Sequence, residues 1–276
     1  MMAPETPEDW TLVREPREAP VLEVFASIQG EGQYVGQPQV FLRLAGCPLR
    51  CVWCDTPGSW KLRDEHTARV AARQGTIRED GWASPLQALT WIGACEPGEP
   101  RPVSVTGGEP LLWPDFLLGL ASMVGERPLH LETAGAHPDA LRQVVERFHH
   151  ISLDLKLPAD MDEPVWSGGR PGQGQVPSNP EEWQSTRQQC LHLIASKNAC
   201  VKIVIAGGRD AEEFRPLLED VLQWAPKIPV YLQPATPMNG VVAPDQETLS
   251  EVVELARDLE LEVRLVPQVH RFLGIP

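Results

Sequence analysis

Short apolar runs alternate along the chain with longer segments in which apolar residues recur at helical spacing. Short apolar runs between turn residues are typical of buried strands, and the longer segments are typical of amphipathic helices. Their alternation predicts βα units around a parallel sheet. The predicted strands lie at 21–27, 40–44, 103–106, 129–132, 151–155, 201–205, 230–233 and 261–266. The predicted helices lie at 85–94, 114–124, 138–148, 180–196, 211–224 and 245–259.

Two segments interrupt this alternation, at 60–83 and 159–179. The first is rich in Arg, Asp and Gln, and the second contains a glycine-rich run at 167–174. Both are expected to be solvent-exposed loop insertions in a single domain that spans residues 1–276, with a lid or a dimer contact as the alternative. The periodicity alone is compatible with a barrel and with a doubly wound sheet.

The chain is acidic, with a formal net charge of −14 and a pI near 4.9. Binding to a nucleic-acid backbone requires basic surface, so no nucleic-acid partner is expected. No apolar run approaches the ~18 residues that a membrane span needs, and the acidic start lacks a basic-then-apolar export signal. Six cysteines, three of them clustered, fit a reducing compartment, so we expect a cytoplasmic protein.

Three of the cysteines lie close together, as Cys47, Cys51 and Cys54, directly after a predicted strand. Thiolates at C-x3-C-x2-C spacing can hold three irons of a [4Fe–4S] cluster, which leaves one iron open to a small molecule. A zinc site would need a fourth ligand, for which the next candidates are His66 and Cys95. A disulfide framework would be typical of a small secreted chain. The spacing favours an iron–sulfur site over both alternatives.

Polar residues stand at the carboxyl ends of four predicted strands, namely Thr106, Glu132, Lys156 and Gln233. In βα barrels that edge of the sheet carries the active site. Lys156 follows Asp154 at a spacing that puts both side chains on the same face of a strand. Asp154 is therefore expected to bind a ligand, to pair with Lys156, or to do both.

The cysteine motif, with the aromatic Trp53 before its last cysteine, resembles the signature of radical S-adenosylmethionine (SAM) enzymes. The downstream run Gly107-Gly108-Glu109-Pro110 also resembles a segment of that superfamily. The resemblance implies a partial (βα)6 TIM-like barrel and a [4Fe–4S] cluster whose open iron chelates SAM. It implies reductive cleavage of SAM to a 5′-deoxyadenosyl radical, with the Gly-Gly-Glu-Pro segment receiving the SAM amino group.

Further segments narrow the resemblance to one family. They are the run Phe-Ala-Ser-Ile-Gln-Gly-Glu-Gly at 25–32, the run 40–47, the pair Asp55 and Thr56, and the segment 268–276. Together they resemble the 7-carboxy-7-deazaguanine synthases of queuosine precursor biosynthesis. The resemblance implies a lyase that converts 6-carboxy-5,6,7,8-tetrahydropterin to 7-carboxy-7-deazaguanine with loss of ammonia. It also implies Mg²⁺ as a cofactor and a homodimer. We further expect an electron donor such as flavodoxin, for which the two insertions could carry a binding site.

The same resemblance assigns site residues in this chain. Arg43 is expected to bind the pterin carboxylate, Glu31 its N–H edge, and Thr56 the Mg²⁺ ion. An exposed surface cation is the alternative for Arg43, and a residue that only caps a turn is the alternative for Thr56. The substrate-binding residues are expected to be Ile28, Gln29, Gly30, Glu31, Arg43, Thr106, His270 and Pro276. The SAM-binding residues are expected to be Trp53, Asp55, Gly108, Glu109, Asp154, Lys156 and Gln233.

The end of the chain is apolar from Phe272 to Pro276. The resemblance implies that it folds back so that its terminal carboxylate accepts from the pterin's amino edge, whereas a frayed tail is the alternative. Two rival functions remain. A different radical SAM enzyme, such as a glycyl-radical activase acting on a protein, would not need Arg43 or Thr56. A non-catalytic iron–sulfur or zinc scaffold would bind metal without cleaving SAM.

Overall fold

The structure is a computed structural model that describes residues 17–63, 65–166, 173–238 and 240–276. The acidic start and residues 167–172 of the glycine-rich run lie outside the described residues. The strands are β1 Ala19–Ile28, β2 Pro38–Leu44, β3 Arg50–Cys51, β4 Thr67–Ala72, β5 Gly75–Asp80, β6 Trp82–Ala83, β7 Val103–Gly107, β8 Leu129–Thr133, β9 His150–Leu155, β10 Met161–Asp162, β11 Ala199–Ile205, β12 Val230–Pro234 and β13 Val263–Leu265. The helices are α1 Pro85–Cys95, α2 Pro114–Met123, α3 Pro138–Val144, α4 Pro180–Ile194, α5 Arg215–Trp224, α6 Gln246–Asp258 and α7 Val269–Leu273. None of these helices is long and apolar enough to cross a membrane.

The centre of the sheet is parallel, in the order β13-β12-β11-β9-β8-β7-β2. One helix, from α1 to α6, bridges each step along the chain between successive parallel strands. β1 pairs antiparallel with β2, and β4 and β5 continue the sheet beyond β1. β13 and β5 therefore stand at opposite ends of an open sheet. This is the partial (βα)6 TIM-like barrel that the resemblance implies, and each predicted strand and helix is present.

The two faces of the parallel strands differ because successive side chains point to opposite sides. Val105, Leu131 and Leu153 are 0% exposed and belong to the main hydrophobic core, together with residues of the helices. The alternate positions are polar, and the register sets Asp154 of β9 beside Lys202 of β11. The polar face forms the inner wall of the barrel, where a cavity lies.

The segment 60–83 corrects the expectation of a loop. It contains the antiparallel hairpin β4–β5, and β6 pairs with β1. Ala68 and Val70 of β4 are buried, whereas every residue of β5 is exposed. The hydrophobic pattern missed β5 because a strand with no buried face carries no apolar alternation. Backbone hydrogen bonds to β4 hold β5 in the sheet.

The segment 159–179 also departs from a freely exposed loop. Within its described part, β10 pairs with β3, and this joins Met161 to Cys51 and Asp162 to Arg50. The segment ends at Asn179, whose side chain caps α4 by accepting from the N–H of residue 182. Its first residues therefore pair with the cysteine loop. A role of this segment as a lid or a dimer contact stays a prediction.

Candidate active site

The cysteine loop begins where β2 ends, at the carboxyl edge of the sheet. Gly46 has a φ of +91°, in the left-handed region that favours glycine, and lets the chain leave the strand. Arg50 then holds the loop together. Its Nη1 donates to the carbonyl oxygens of Cys47 at 2.8 Å and Leu49 at 2.7 Å, and its Nη2 donates to that of Val165 at 2.8 Å. A single guanidinium thus joins the start of the cysteine-bearing segment to Val165 in the chain that covers it.

The three clustered cysteines have the chemistry that an iron–sulfur cluster requires. None of the chain's cysteines forms a disulfide, and Cys47, Cys51 and Cys54 line one cavity. Burial raises the pKa of Cys47 to about 12, and the nearby carboxylate of Glu109 adds to this effect. Such a thiol keeps its proton at neutral pH unless a metal cation replaces it. No fourth cysteine is among the described residues that line the cavity, which fits a cluster with one open iron.

Trp53 is held between two charged side chains. Its indole Nε1 donates to Asp160 Oδ2 at 3.2 Å, and the Lys156 ammonium lies 4.4 Å from the centre of its ring. Asp160 is 0% exposed and also accepts from Arg209 Nε at 2.8 Å. The orientation of Trp53 beside the cysteines is therefore set by residues from two other connections of the barrel.

The glycines after β7 allow two backbones to meet. A Cβ at Gly107 would overlap the backbone of Leu44, and a Cβ at Gly108 would overlap the carbonyl of Gly46. The N–H of Gly108 donates to Leu44 at 3.0 Å. Glycine is thus required at both positions because the turn after β7 packs against the end of β2 and the start of the cysteine loop. Gly108 also lines the cavity.

Glu109 lies behind the cavity wall. Its carboxylate is fully buried and accepts from Thr133 Oγ1 at 2.7 Å, from the N–H of Leu111 at 2.9 Å and from the N–H of Ala134 at 2.8 Å. Burial raises the pKa of Glu109, and these hydrogen bonds act in the opposite direction. The side chain joins the turn after β7 to the turn after β8, and it does not line the cavity.

One cavity at the carboxyl edge of the sheet gathers the site predicted from the sequence. It is lined by every residue predicted to bind metal, SAM or substrate, apart from Glu109. These residues come from the end of β1, from the last residues of the chain and from the ends of most of the strands between them. The described structure therefore brings them together in one place, and the ligand that each one binds stays a prediction.

Four charged side chains alternate in sign across the cavity wall. Lys202 Nζ lies 2.5 Å from Glu31 Oε2 and 3.2 Å from Asp154 Oδ1, and Lys156 Nζ lies 2.8 Å from Asp154 Oδ2. Burial acts to lower the pKa of Lys202, but the carboxylates of Asp154 and Glu31 raise it well above its ordinary value. The pairing of Asp154 with Lys156, one of the roles expected from their spacing, is present.

Arg43 faces the cavity from β2. Its Nε donates to Glu23 Oε1 at 2.8 Å, and its guanidinium carbon lies 5.9 Å from the centre of the Phe25 ring. Phe25 in turn stacks on Phe41, with 5.2 Å between ring centres. The Arg43 side chain is 20% exposed, so the alternative of a free surface cation does not describe it. Arg43 and the two rings form one wall of the cavity.

Glu132 is a cavity residue to which no ligand was assigned from the sequence. It accepts from Gln29 Nε2 at 2.8 Å, Ser104 Oγ at 2.7 Å and Thr106 Oγ1 at 3.3 Å. Three donors orient its carboxylate at the end of β8, and it lines the cavity. The sequence feature that could have identified Glu132 as a ligand-binding residue is its position at the end of a predicted strand.

Lys202 and Gln268 also line the cavity and were not predicted. A signal for Lys202 was present, because it is the one charged residue in the otherwise apolar β11. Gln268 Nε2 donates to Glu31 Oε1 at 2.7 Å and lies 3.3 Å from Asp55 Oδ2. Gln268 begins the segment 268–276 that resembles the family, but its partners are 237 and 213 positions away, so no local pattern could reveal these contacts.

Thr56 precedes the short 3-10 helix Pro57–Ser59, but its side chain makes no capping hydrogen bond there. Its backbone oxygen instead accepts the two hydrogen bonds that close this turn. The turn-capping alternative therefore does not account for its hydroxyl, which belongs to a residue that lines the cavity. Close by, Glu31, Asp55 and His270 present ligand atoms within 4.8 Å of one another, a spacing that can hold a cation.

The end of the chain docks beside β1. The N–H of Val269 donates to the carbonyl of Gly30 at 3.0 Å, and Ser27 Oγ donates to the backbone oxygen of Pro276 at 2.6 Å. The His270 ring lies against Gly30 so closely that a Cβ there would overlap it. α7, which was not predicted from the sequence, thus places His270 and Pro276 at the cavity.

Comparison with known proteins gives this arrangement a class. A sequence profile of the Radical SAM superfamily matches residues 42–165, which include the cysteine loop and the glycines after β7. The fold is similar to that of QueE from Escherichia coli, with a TM-score of 0.56 and 23% identity over 92% of this chain and 95% of that one. It is also similar to a radical SAM methyltransferase from Sphaerobacter thermophilus, with a TM-score of 0.54 and 14% identity over 83% and 66% of the two chains. Fold and site together define a radical SAM protein.

Relatives of known name narrow the class further. The chain is 31% identical over 267 residues to the 7-carboxy-7-deazaguanine synthase of Methanothermobacter thermautotrophicus, which covers 93% of this chain and 98% of that protein. It is 31% identical over 256 residues to the enzyme of the same name from Geobacter sulfurreducens, covering 91% and 96%. The chain belongs to the 7-carboxy-7-deazaguanine synthase family, and the resemblance seen in its motifs is confirmed.

Proposed function

We propose that this chain is a radical SAM lyase that converts 6-carboxy-5,6,7,8-tetrahydropterin to 7-carboxy-7-deazaguanine and ammonia. The two products together contain all the atoms of the substrate, so the overall reaction needs no net oxidant. The observation that carries the proposal is the single cavity lined by the three cysteines, by Asp154 and Lys156, and by Arg43, in a chain of this family. The reaction belongs to queuosine precursor biosynthesis.

The cysteines and their neighbours form the SAM side of the cavity. Cys47, Cys51 and Cys54 would hold the [4Fe–4S] cluster, and SAM on its open iron would supply a 5′-deoxyadenosyl radical. Trp53 and Lys156 lie in contact beside the cysteines, which supports their assignment to SAM. The other residues assigned to SAM are Asp55, Gly108, Asp154 and Gln233. We assign Glu109 to shaping the wall from behind, because it does not line the cavity and its carboxylate joins the turns after β7 and β8.

The opposite wall suits a pterin that bears a carboxylate. Arg43 has its Nε engaged by Glu23, which leaves both Nη groups for a bidentate pair with the substrate carboxylate. The Phe25 ring beside it offers a flat apolar surface to the pterin ring. We assign Glu31 and Glu132, which line the cavity, to accept from its N–H edge. The other residues assigned to the substrate are Ile28, Gln29, Gly30, Thr106, His270 and Pro276.

We assign a Mg²⁺ ion to Thr56, next to the substrate carboxylate. Mg²⁺ keeps several waters and needs few protein ligands, so one hydroxyl with substrate oxygens is a reasonable site. Thr56→Ala is expected to weaken activation by Mg²⁺ in a titration of the initial rate. Thr90→Ala, on the exposed side of α1, is the matched control. An unchanged Mg²⁺ dependence in Thr56→Ala would contradict the assignment.

We also propose a homodimer that acts in the cytoplasm and takes its electron from a small redox protein such as flavodoxin. The absence of disulfides among all of the chain's cysteines supports a reducing compartment. The acidic net charge of −14 argues against a nucleic-acid partner. Light scattering coupled to size exclusion tests the dimer, and reduction of the cluster by flavodoxin in place of dithionite tests the donor.

The first test is an anaerobic assay of the cluster-loaded protein with SAM, dithionite, Mg²⁺ and 6-carboxytetrahydropterin, followed by mass spectrometry. Formation of the deazapurine while SAM is not consumed is the expected result. Cleavage of SAM to 5′-deoxyadenosine without product would show that the radical chemistry is present and that the substrate is wrong. Failure of fully loaded protein to cleave SAM at all would overturn the class of reaction.

A further inference from the structure

Lys202 is a buried cation that the proposed function does not yet use. It projects from β11, is 5% exposed and lines the cavity. Its ammonium lies 2.5 Å from Glu31 Oε2 and 3.2 Å from Asp154 Oδ1. Glu31 belongs to the loop after β1, whereas Asp154 belongs to β9, the direct neighbour of β11 in the sheet. The lysine therefore joins two carboxylates from opposite parts of the chain.

Each of these carboxylates has a second partner on its other oxygen. Glu31 Oε1 accepts from Gln268 Nε2 at 2.7 Å, and Asp154 Oδ2 accepts from Lys156 Nζ at 2.8 Å. Among the described side chains, the ion pairs of Glu31 and Asp154 share one cation, and it is Lys202. Its one positive charge is divided between two negative groups.

The surroundings keep this ammonium charged. Burial alone would lower the pKa of Lys202, but Asp154, Glu31 and the nearby carboxylate of Glu132 raise it well above its ordinary value. In a site that is largely shielded from water, the strength of each ion pair depends strongly on distance. A change in the environment of one carboxylate therefore changes how firmly the lysine holds the other.

We propose that Lys202 is a positioning residue that couples the binding of the pterin to the binding of SAM. The inference rests on the proposed function, which assigns Glu31 to the pterin and Asp154 to SAM. A ribose hydroxyl of SAM that donates to Asp154 takes up part of its negative charge. Lys202 then pairs more fully with Glu31 and holds that carboxylate in place for the N–H edge of the pterin. Because such coupling is reciprocal, the pterin also strengthens the binding of SAM.

The test compares three variants of the cluster-loaded protein under anaerobic conditions. Lys202→Met removes the charge, Lys202→Arg keeps it, and Lys197→Met makes the first change at a more exposed lysine, which pairs with Glu146 on the surface. The dissociation constant of 6-carboxytetrahydropterin is measured by calorimetry with and without saturating SAM. The ratio of the two constants reports coupling, and a merely structural role of Lys202 would lower both affinities without changing that ratio.

The wild type and Lys197→Met are expected to bind the pterin more tightly with SAM than without it. In Lys202→Met the affinity with SAM is expected to fall on the order of 10- to 100-fold, as for loss of a charged hydrogen bond, and the ratio is expected to approach one. Lys202→Arg is expected to restore most of the ratio. A wild-type ratio of one, or a wild-type ratio in Lys202→Met, would overturn the coupling.

A second variant covers the case in which Lys202→Met does not fold. Glu31→Gln keeps Lys202 beside Asp154 but removes the second carboxylate that Lys202 contacts, and it is expected to bring the ratio to one. Retention of the ratio in this variant would overturn the proposal. Failure of the proposed function has a different outcome, because wild-type protein would then bind SAM but neither bind the pterin nor convert it.

Discussion

Arg43 Nε donates to Glu23 Oε1 at 2.8 Å, across the antiparallel pair β1–β2. The other oxygen of Glu23 lies 3.3 Å from Arg69 Nη1 on β4. Glu23 does not line the cavity, yet it fixes the guanidinium that does. The orientation of the group assigned to the substrate carboxylate is therefore set by a residue outside the site, and the sheet extension that carries Arg69 supports it.

Glu23→Gln is expected to raise KM for the pterin about tenfold and to change kcat little. The variant loses the charged partner that aligns Arg43, and a charged hydrogen bond contributes on the order of one power of ten. Steady-state kinetics of product formation measure both constants. Glu254→Gln is the matched control, because it makes the same change in an exposed ion pair with Arg257 on α6. A wild-type KM in Glu23→Gln would show that Arg43 is held without it.

Gly30→Ala is expected to lower kcat/KM on the order of 100-fold, because small misplacements near the reacting atoms have effects of that size. The new methyl group would occupy the space of the His270 ring and push α7 away from the cavity. Gly98→Ala is the control, since nothing lies within 4 Å of a Cβ at that position. Near wild-type kinetics in Gly30→Ala would mean that His270 has no fixed role.

Arg50→Lys is expected to lose most of the bound iron, although it keeps the charge. One guanidinium donates to three carbonyl oxygens around the cysteine loop, and an ammonium cannot reproduce this fork. Iron and sulfide per chain, with the visible absorbance of the cluster, measure the effect. Arg73→Lys, on the exposed turn of the β4–β5 hairpin, should load fully. Full loading of Arg50→Lys would contradict the role given to Arg50.

The buried His150 is expected to make stability depend on pH. Burial lowers the pKa of His150 from 6.5 to about 4, against the opposing effects of Asn198 and Glu132, and its ring packs on Tyr34 and His130. Between these two values the unfolded chain binds a proton that the folded chain does not. Stability is therefore complete above about pH 6.5 and falls as the pH drops toward 4, by up to about 3 kcal/mol.

Urea unfolding from pH 8 to pH 5.5 measures this dependence. His150→Gln is expected to be less stable than the wild type by a constant amount above about pH 7 and to lose less stability below about pH 6.5. Parallel curves over the whole range would show that another group causes the dependence.

The alternation of strands and helices could be predicted because each parallel strand packs apolar side chains against the helices that cover the sheet. Val201 and Ile203 of β11 are 0% exposed for this reason, and their spacing is visible in the sequence. The strand β5 could not be predicted in the same way, since Ile77 and its neighbours remain exposed. The hydrogen bonds that hold an edge strand have no counterpart in a hydrophobic pattern.

The sequence by itself determined the cysteine loop, the polar strand ends and the family, because thiol spacing and strand position are local properties of the chain. Only the tertiary structure decided that Glu109 turns away from the cavity and that Lys202 turns into it. It also decided which groups hold Glu31, whose partners Lys202 and Gln268 are 171 and 237 positions away. Such ion pairs and hydrogen bonds form only when folding brings distant strands and the chain end to one edge of the barrel. Their geometry therefore depends on packing that no local sequence pattern encodes.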